Sequence, residues 1–203
     1  VMGEYYDWYD KNPEESKSLT VQFSKLTKVR QIIADEKIAQ TIEIAENILE
    51  QDKKVIIFCN FTESLNKITE HFGKAAVKLD GSMTKPERQH SVDQFQENPK
   101  VKVFVGNIKA AGVGITLTSA EAVIMNDLSF LPSDHAQAED RAYRYGQKNN
   151  VLVYYPIFEN TIEGIIYDIL NNKKQVIATV MGDNINPADA AEEILKRIND
   201  LRY

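Results

Sequence analysis

Cysteine is almost missing from this chain. Cys59 is the only one in 203 residues, which excludes an internal disulfide framework and fits a reducing compartment. Histidine is nearly as scarce: His71, His90 and His135 stand apart without metal-ligand spacing, so no metal site is expected. No apolar run reaches transmembrane length and no signal-peptide pattern opens the chain, so no membrane partner is expected either. Positive charge is in deficit, with 24 Lys and Arg against 30 Asp and Glu and a net charge of -6. Such a balance argues against a whole surface made for nucleic acid, while leaving room for a local phosphate track of backbone amides and a few cations. Nucleic-acid binding by this chain alone is expected to be weak. Internal repeats and low-complexity segments are absent, and so is any G-x-x-x-x-G-K-[ST] phosphate loop.

What remains is the composition of an ordinary soluble globular protein, 43% hydrophobic and 27% charged, long enough for one domain with appended helices. The setting is expected to be intracellular: cytoplasm or nucleoid in a bacterium, the nucleus in a eukaryote. Residue 1 is Val and the opening residues resemble mid-protein sequence, so the chain reads as part of something longer. Residues 1–15 place Tyr5, Tyr6, Trp8 and Tyr9 among Glu4, Asp7 and Asp10, without helical or strand periodicity. They are expected to form a packing segment for this domain or a neighbour, or a partly ordered end.

From about Ser16 to Gln51 apolar residues recur at helical spacing (Leu19, Phe23, Leu26; Ile38, Ile42, Ala45, Leu49), which predicts two helices broken near 34–36. Lys54 to Cys59 is a short apolar run of the kind found in buried parallel strands. A helix over 62–72 follows, then a strand near 75–79 and a helix opened by Thr84-Lys85-Pro86-Glu87, a capping-box sequence. Further strands are predicted near 101–105, 122–125 and 151–158. A helix is predicted from Asn160-Thr161-Ile162-Glu163 to about Met181, and a last one from Asn186-Pro187. Strands alternating with helices imply βαβ units and a mostly parallel sheet covered on both faces, an α/β architecture with extra N- and C-terminal helices. Ligands of such sheets gather at the carboxyl ends of the strands. The polar loops fall there: Asn60-Phe61-Thr62, Asp80-Gly81-Ser82, Asn107 to Gly114, and Asp127 onward.

The densest signal is Gln137-Ala138-Glu139-Asp140-Arg141-Ala142-Tyr143-Arg144-Tyr145-Gly146-Gln147. At about 100° per residue, Gln137, Arg141 and Arg144 share one face of a predicted helix, presenting two guanidinium forks and an amide suited to phosphate oxygens. Alternatively, Arg144 pairs with Asp140 at i,i+4, and Asp134 with Gln137 makes a capping-box-like start. Gly112 and Gly114 permit positive φ and close backbone approach, or simply turn the chain. Gly112-Val113-Gly114 is no dinucleotide fingerprint, because the third glycine is lacking. Thr62 and Thr84 serve as helix N-caps at least as readily as phosphate contacts, and Lys85 and Arg88 read first as solvated helix residues and second as phosphate contacts.

Taken in order, these blocks resemble the second RecA-like lobe of superfamily-two helicases, specifically the Swi/Snf-type double-stranded DNA translocases, with the HARP-like annealing helicases nearest. The resemblance runs from about Glu36 to Lys174. It rests on Val55 to Thr62, Leu79 to Thr84 with Glu87-Arg88, Asn107 to Leu117, Gln137 to Gln147, and Thr161-Ile162-Glu163. It implies a three-layer RecA-like fold, with a leading segment over 1–35, the helicase lobe over 36–181 and a C-terminal helix over 182–203.

By that resemblance Arg141 and Arg144 are arginine fingers for ATP, with Gln137, Gly112 and Gly114 at the nucleotide. Asn60, Phe61, Thr62, Gly81, Ser82, Asn107 and Lys109 belong to the DNA phosphate track. Three departures stand out. Asn107 stands where the family has Ser, Thr116 where it has Asn, and Phe130-Leu131-Pro132 where it has Trp-Asn-Pro. Without a phosphate loop or the acidic metal motif of a first lobe, nothing here cradles the β- and γ-phosphates or holds Mg2+. The resemblance therefore implies a partner: the N-terminal RecA-like lobe of the same parent protein, without which this chain should be idle as an ATPase. The competing expectation is a stand-alone degenerate lobe serving as scaffold or nucleic-acid adaptor.

Overall fold

A computed structural model of the chain describes residues 2–111, 114–144, 147, 150–159, 161–168, 170–171, 192, 195–198 and 200. The chain divides into two compact units, one of residues 1–33, 130–133 and 157–203, the other of 34–129 and 134–156.

The first unit opens with α1 (Met2–Lys11), followed by a short 3-10 turn and α2 (Leu19–Glu36), whose last residues belong to the second unit. The opening segment is thus a helix, contrary to expectation. Its aromatics are spaced for one after all: Tyr5, Trp8 and Tyr9 stand at i, i+3 and i+4. Tyr5 is buried and its hydroxyl donates to Gln22 Oε1 (3.4 Å), and the Tyr6 hydroxyl donates to the Ile198 carbonyl (3.2 Å). Phe130, the aromatic at the departed Trp-Asn-Pro position, is a packing residue: its ring meets Phe23 at 5.1 Å and the Arg30 guanidinium at 3.9 Å. Residues 162–168, 170 and 171 are helical. Thr161 caps them, its hydroxyl accepting the Glu163 amide (3.2 Å) and donating to the Phe158 carbonyl (2.8 Å). Asn160, the helix end near Met181 and the start at Asn186-Pro187 lie outside the described residues.

In the second unit α3 (Ile38–Leu49) is separated from α2 at Lys37, next to the predicted break. Then come β1 (Val55–Cys59), α4 (Thr62–Phe72), β2 (Ala76–Leu79), α5 (Lys85–Glu97), β3 (Val103–Asn107), α6 (Ile108–Ala111), β4 (Ala122–Met125), α7 (Pro132–Ala142, its first two residues in the first unit) and β5 (Leu152–Tyr154). Among the described residues the strands pair in parallel throughout, in the order β2-β3-β1-β4-β5. This is the expected α/β RecA-like arrangement. β3 lies two residues further along than the periodicity suggests: Val101 is held in the Asn98 turn (3.1 Å), and Lys102 leads into the strand, its amide on the Ala75 carbonyl (2.9 Å). β5 is shorter than predicted and lies at the sheet margin, where Leu152 and Val153 are exposed.

Burial explains why β1 shows no alternation: every residue of it is enclosed. Val55, Ile57 and Cys59 pack with Ala45 and Ile48 of α3, Leu65 and Ile68 of α4, and Val103, Val105, Ala122 and Ile124 of the flanking strands. Alternate residues turn to the opposite face, where Phe104 meets Phe95 of α5 edge-on at 5.5 Å. Each such side chain contributes roughly 1.5–3 kcal/mol on full burial. Enclosure also silences Cys59, whose thiol is pushed well above its ordinary range by burial and by the charge of Asp127, against the opposing charge of Lys37.

Gly106 is the tight spot in β3. A Cβ there would stand 3.1 Å from Phe104, 3.2 Å from Ala111 and 3.3 Å from Phe58. Gly106→Val is therefore expected to destabilise the lobe by about 1–3 kcal/mol. Gly81→Ala, with nothing within 4 Å, is expected to change stability by less than about 0.5 kcal/mol. Urea unfolding of both variants beside the wild type checks the contrast.

Candidate functional site

The parallel register sets the site. Cys59 lies opposite Asn107, Leu79 opposite Gly106, and Met125 opposite Phe58. Asn60, Asp80, Asn107 and Asn126 therefore leave the sheet at one edge, from strands about 4.8 Å apart. Along that edge the loops follow in the order Gly81-Ser82, Asn107-Lys109, Asn60-Phe61-Thr62, then the chain from β4 into α7.

The first three loops are built by side chain to backbone bonds. Asp80 accepts both the Ser82 amide (2.9 Å) and the Ser82 hydroxyl (2.5 Å), and Lys78 stands 3.4 Å away. Arg88 is not a solvated bystander: its Nε donates to the Met83 carbonyl (3.0 Å) and Nη2 to the Gly81 carbonyl (3.2 Å). The Thr84–Glu87 capping box forms as predicted, with the Thr84 amide and hydroxyl each 2.7 Å from Glu87 Oε2. Glu87 is held below its ordinary pKa by the Thr84 hydroxyl and then its amide. Asn107 Oδ1 accepts the Lys109 and Ala110 amides (3.1 and 3.2 Å), leaving the Lys109 side chain exposed. Thr62 is no cap. Phe61 occupies that position, and Thr62 is the exposed first residue of α4.

The arginine segment differs from its predicted form. α7 begins at Pro132, before the expected Asp134 start, and the Asp134 carboxylate accepts the Ser129 hydroxyl (2.5 Å). It ends at Ala142, so Arg144 lies beyond the helix and does not share its face with Gln137 and Arg141. The last carbonyls of the helix are taken from outside it: the amide of Leu117 takes the Arg141 carbonyl (2.9 Å) and Gln147 Nε2 takes the Ala142 carbonyl (3.3 Å).

Arg141 and Arg144 meet by another route. Both Nη1 atoms donate to the Ile115 carbonyl, at 3.3 and 3.2 Å, and Arg144 also donates to Thr116 Oγ1 (3.1 Å) rather than to Asp140. Gly114, at φ +73°, supplies the left-handed bend just before that carbonyl. Burial and the neighbouring Arg144 charge lower the Arg141 pKa, yet guanidinium stays cationic. Gln137 is exposed on α7. Gly112 and Gly146 lie outside the described residues. Among the described residues no group of three metal-ligating side chains occurs, and no helix is long and apolar enough to cross a membrane.

Residues 36–146, more than half of the chain, match the family described as helicase conserved C-terminal domain. ATP-dependent helicase fft3 of Schizosaccharomyces pombe is 36% identical over 150 residues, 72% of this chain and 16% of that protein. DNA annealing helicase and endonuclease ZRANB3 of Mus musculus is 32% identical over 160 residues, 77% of this chain and 15% of that protein. This chain thus spans about one sixth of these relatives. Among solved structures, the Sulfolobus solfataricus SWI2/SNF2 ATPase core in complex with dsDNA superposes with a TM-score of 0.74 at 27% identity, covering 99% of this chain and 45% of that one.

Asp80 gives the site a pH signature. The Ser82 hydroxyl holds its pKa below the ordinary value; burial opposes this, and the Ser82 amide and Lys78 add to the lowering. A carboxylate lowered in the folded state stabilises above its unfolded pKa of about 3.9, and that contribution is lost as pH falls through the lower folded value. The stability gap between wild type and Asp80→Asn is expected in full at neutral pH and to close as pH falls below about 4. Urea titrations across that range check it; a gap that persists undiminished in acid would contradict the assignment.

Proposed function

This chain belongs to the helicase conserved C-terminal domain family, in its Swi/Snf-type branch, and from that membership we propose that it is the second motor lobe of an ATP-dependent translocase on double-stranded DNA. Residues 36–181 form the lobe, with 1–35 leading into it and 182–203 following. The observation that carries the proposal is the convergence of Arg141 and Arg144 on the single Ile115 carbonyl. Two guanidinium groups gathered at one point beside a glycine bend are poised to trade a neutral carbonyl for phosphate oxygens, which bind them far more strongly.

In this proposal ATP lies between this lobe and an N-terminal RecA-like lobe of the same parent protein, which supplies the phosphate cradle and holds Mg2+. Closure carries Arg141 and Arg144 to the γ-phosphate, with Gln137, Gly112 and Gly114 lining the approach. ATP favours the closed state because only that state makes the arginine contacts. Asn60, Phe61, Thr62, Gly81, Ser82, Asn107 and Lys109 grip the DNA backbone through small polar groups, amides and one cation, a mode that positions without reading sequence. Each cycle of closing and opening shifts that grip along the duplex. Alone, the lobe binds DNA weakly and turns over no ATP.

Two measurements on the full-length protein test the two halves of the proposal. Arg144→Ala is expected to lower DNA-stimulated ATP turnover on the order of 10³-fold, and near-normal turnover would refute the finger assignment. Lys109→Ala is expected to weaken DNA binding uniformly across sequences and to reduce the log–log salt slope by about 1; an unaltered slope removes Lys109 from the track.

A further inference from the structure

A chain of polar contacts ties the track residues Asn60, Asn107 and Lys109 to two buried residues, Asn126 and Asp127, that belong to neither the fingers nor the track. Asp127 is buried at the end of β4, and its Oδ1 accepts the Asn60 backbone amide at 2.5 Å. The Asn60 carbonyl accepts Asn107 Nδ2 (3.1 Å), and the other end of that amide, Oδ1, holds the Lys109 and Ala110 amides. On its far side Asp127 Oδ2 accepts Asn126 Nδ2 (3.1 Å). Asn126, fully buried, accepts the Thr41 hydroxyl (2.7 Å) and also donates to the Ala34 carbonyl (3.3 Å). The β1 loop, the β3 loop and the α2–α3 junction are therefore all fastened to Asn126-Asp127, two residues on the path from β4 to the arginine helix.

We propose that Asp127 is the positioning residue of the DNA grip: it orders Asn60 directly, and Asn107 and Lys109 through Asn60, without touching DNA itself. Packing alone does not call for a carboxylate at this position; a buried charge is retained where donors aimed at it need a fixed acceptor. Because both Asp127 oxygens are engaged, the loops of β1 and β3 move with β4. A displacement of the arginine helix on nucleotide binding is thus delivered to the phosphate contacts rather than absorbed between them. The proposal rests on the assignment of Asn60, Asn107 and Lys109 to the DNA track.

The test is a split between substrates in the full-length protein. In Asp127→Ala the DNA concentration for half-maximal ATPase stimulation is expected to rise about tenfold or more, with KM for ATP within about twofold. Asp127→Asn, whose carbonyl oxygen still accepts the Asn60 amide, is expected to recover part of the loss. A folded Asp127→Ala protein with unchanged half-saturating DNA, or with equal losses in DNA and ATP, overturns the proposal. Lys109→Ala separates the layers: if it weakens DNA binding while Asp127→Ala does not, only the positioning role falls; if neither does, the track assignment falls as well. Should Asp127→Ala fail to fold, the wild-type chain still decides. Its Asn60 amide proton is expected far downfield and protected from exchange, and an ordinary shift with loop-like exchange rules the contact out.

Discussion

Everything functional in this lobe hangs on the parallel register of β1 with β3 and β4. Parallel pairing sends all carboxyl ends to one edge, and full burial of β1 on both faces pins the pairing against slippage, since a one-residue shift would exchange its two packed faces. Once Cys59 is opposite Asn107 and Phe58 opposite Met125, the loops that carry polar residues have no choice of position.

Much of this is legible in the sequence. The continuous apolar run at Val55–Cys59 announced a strand buried on both faces, and Thr84-x-x-Glu87 announced a helix start because the capping chemistry is local. What was not legible lay in side-chain and backbone bonds that periodicity does not report. No periodicity could say that the carbonyls of Arg141 and Ala142 would be taken by Leu117 and Gln147, ending α7 before Arg144. Nor could it say that Arg88 would turn back onto its own loop, or that Gly106 would sit against Phe58, Phe104 and Ala111. Helix α1 is a different case: its i, i+3, i+4 aromatics were in plain view but were masked by the acids among and beside them, Glu4, Asp7 and Asp10.

The site residues divide by the kind of order that holds them. Asn60, Asn107 and Ser82 are fixed by bonds inside the unit, Asn60 through Asp127, Asn107 through Asn60 and Ser82 through Asp80. The arginines are fixed by bonds that are easier to exchange, since a partly exposed guanidinium on a neutral carbonyl gives up little in leaving it for an anion. Under the proposed function, this division sets a rigid grip for DNA beside a releasable clasp for ATP.

The enclosure of Cys59 has a practical corollary. Its thiol is fully buried and its ionisation is suppressed, so thiolate-seeking reagents have almost nothing to attack in the folded lobe. The lobe is in effect a silent background for labelling chemistry. A cysteine introduced on its surface, for instance at exposed Tyr143 between the two arginines, would take a maleimide fluorophore without competition, giving optical access to lobe movement with the native core left intact.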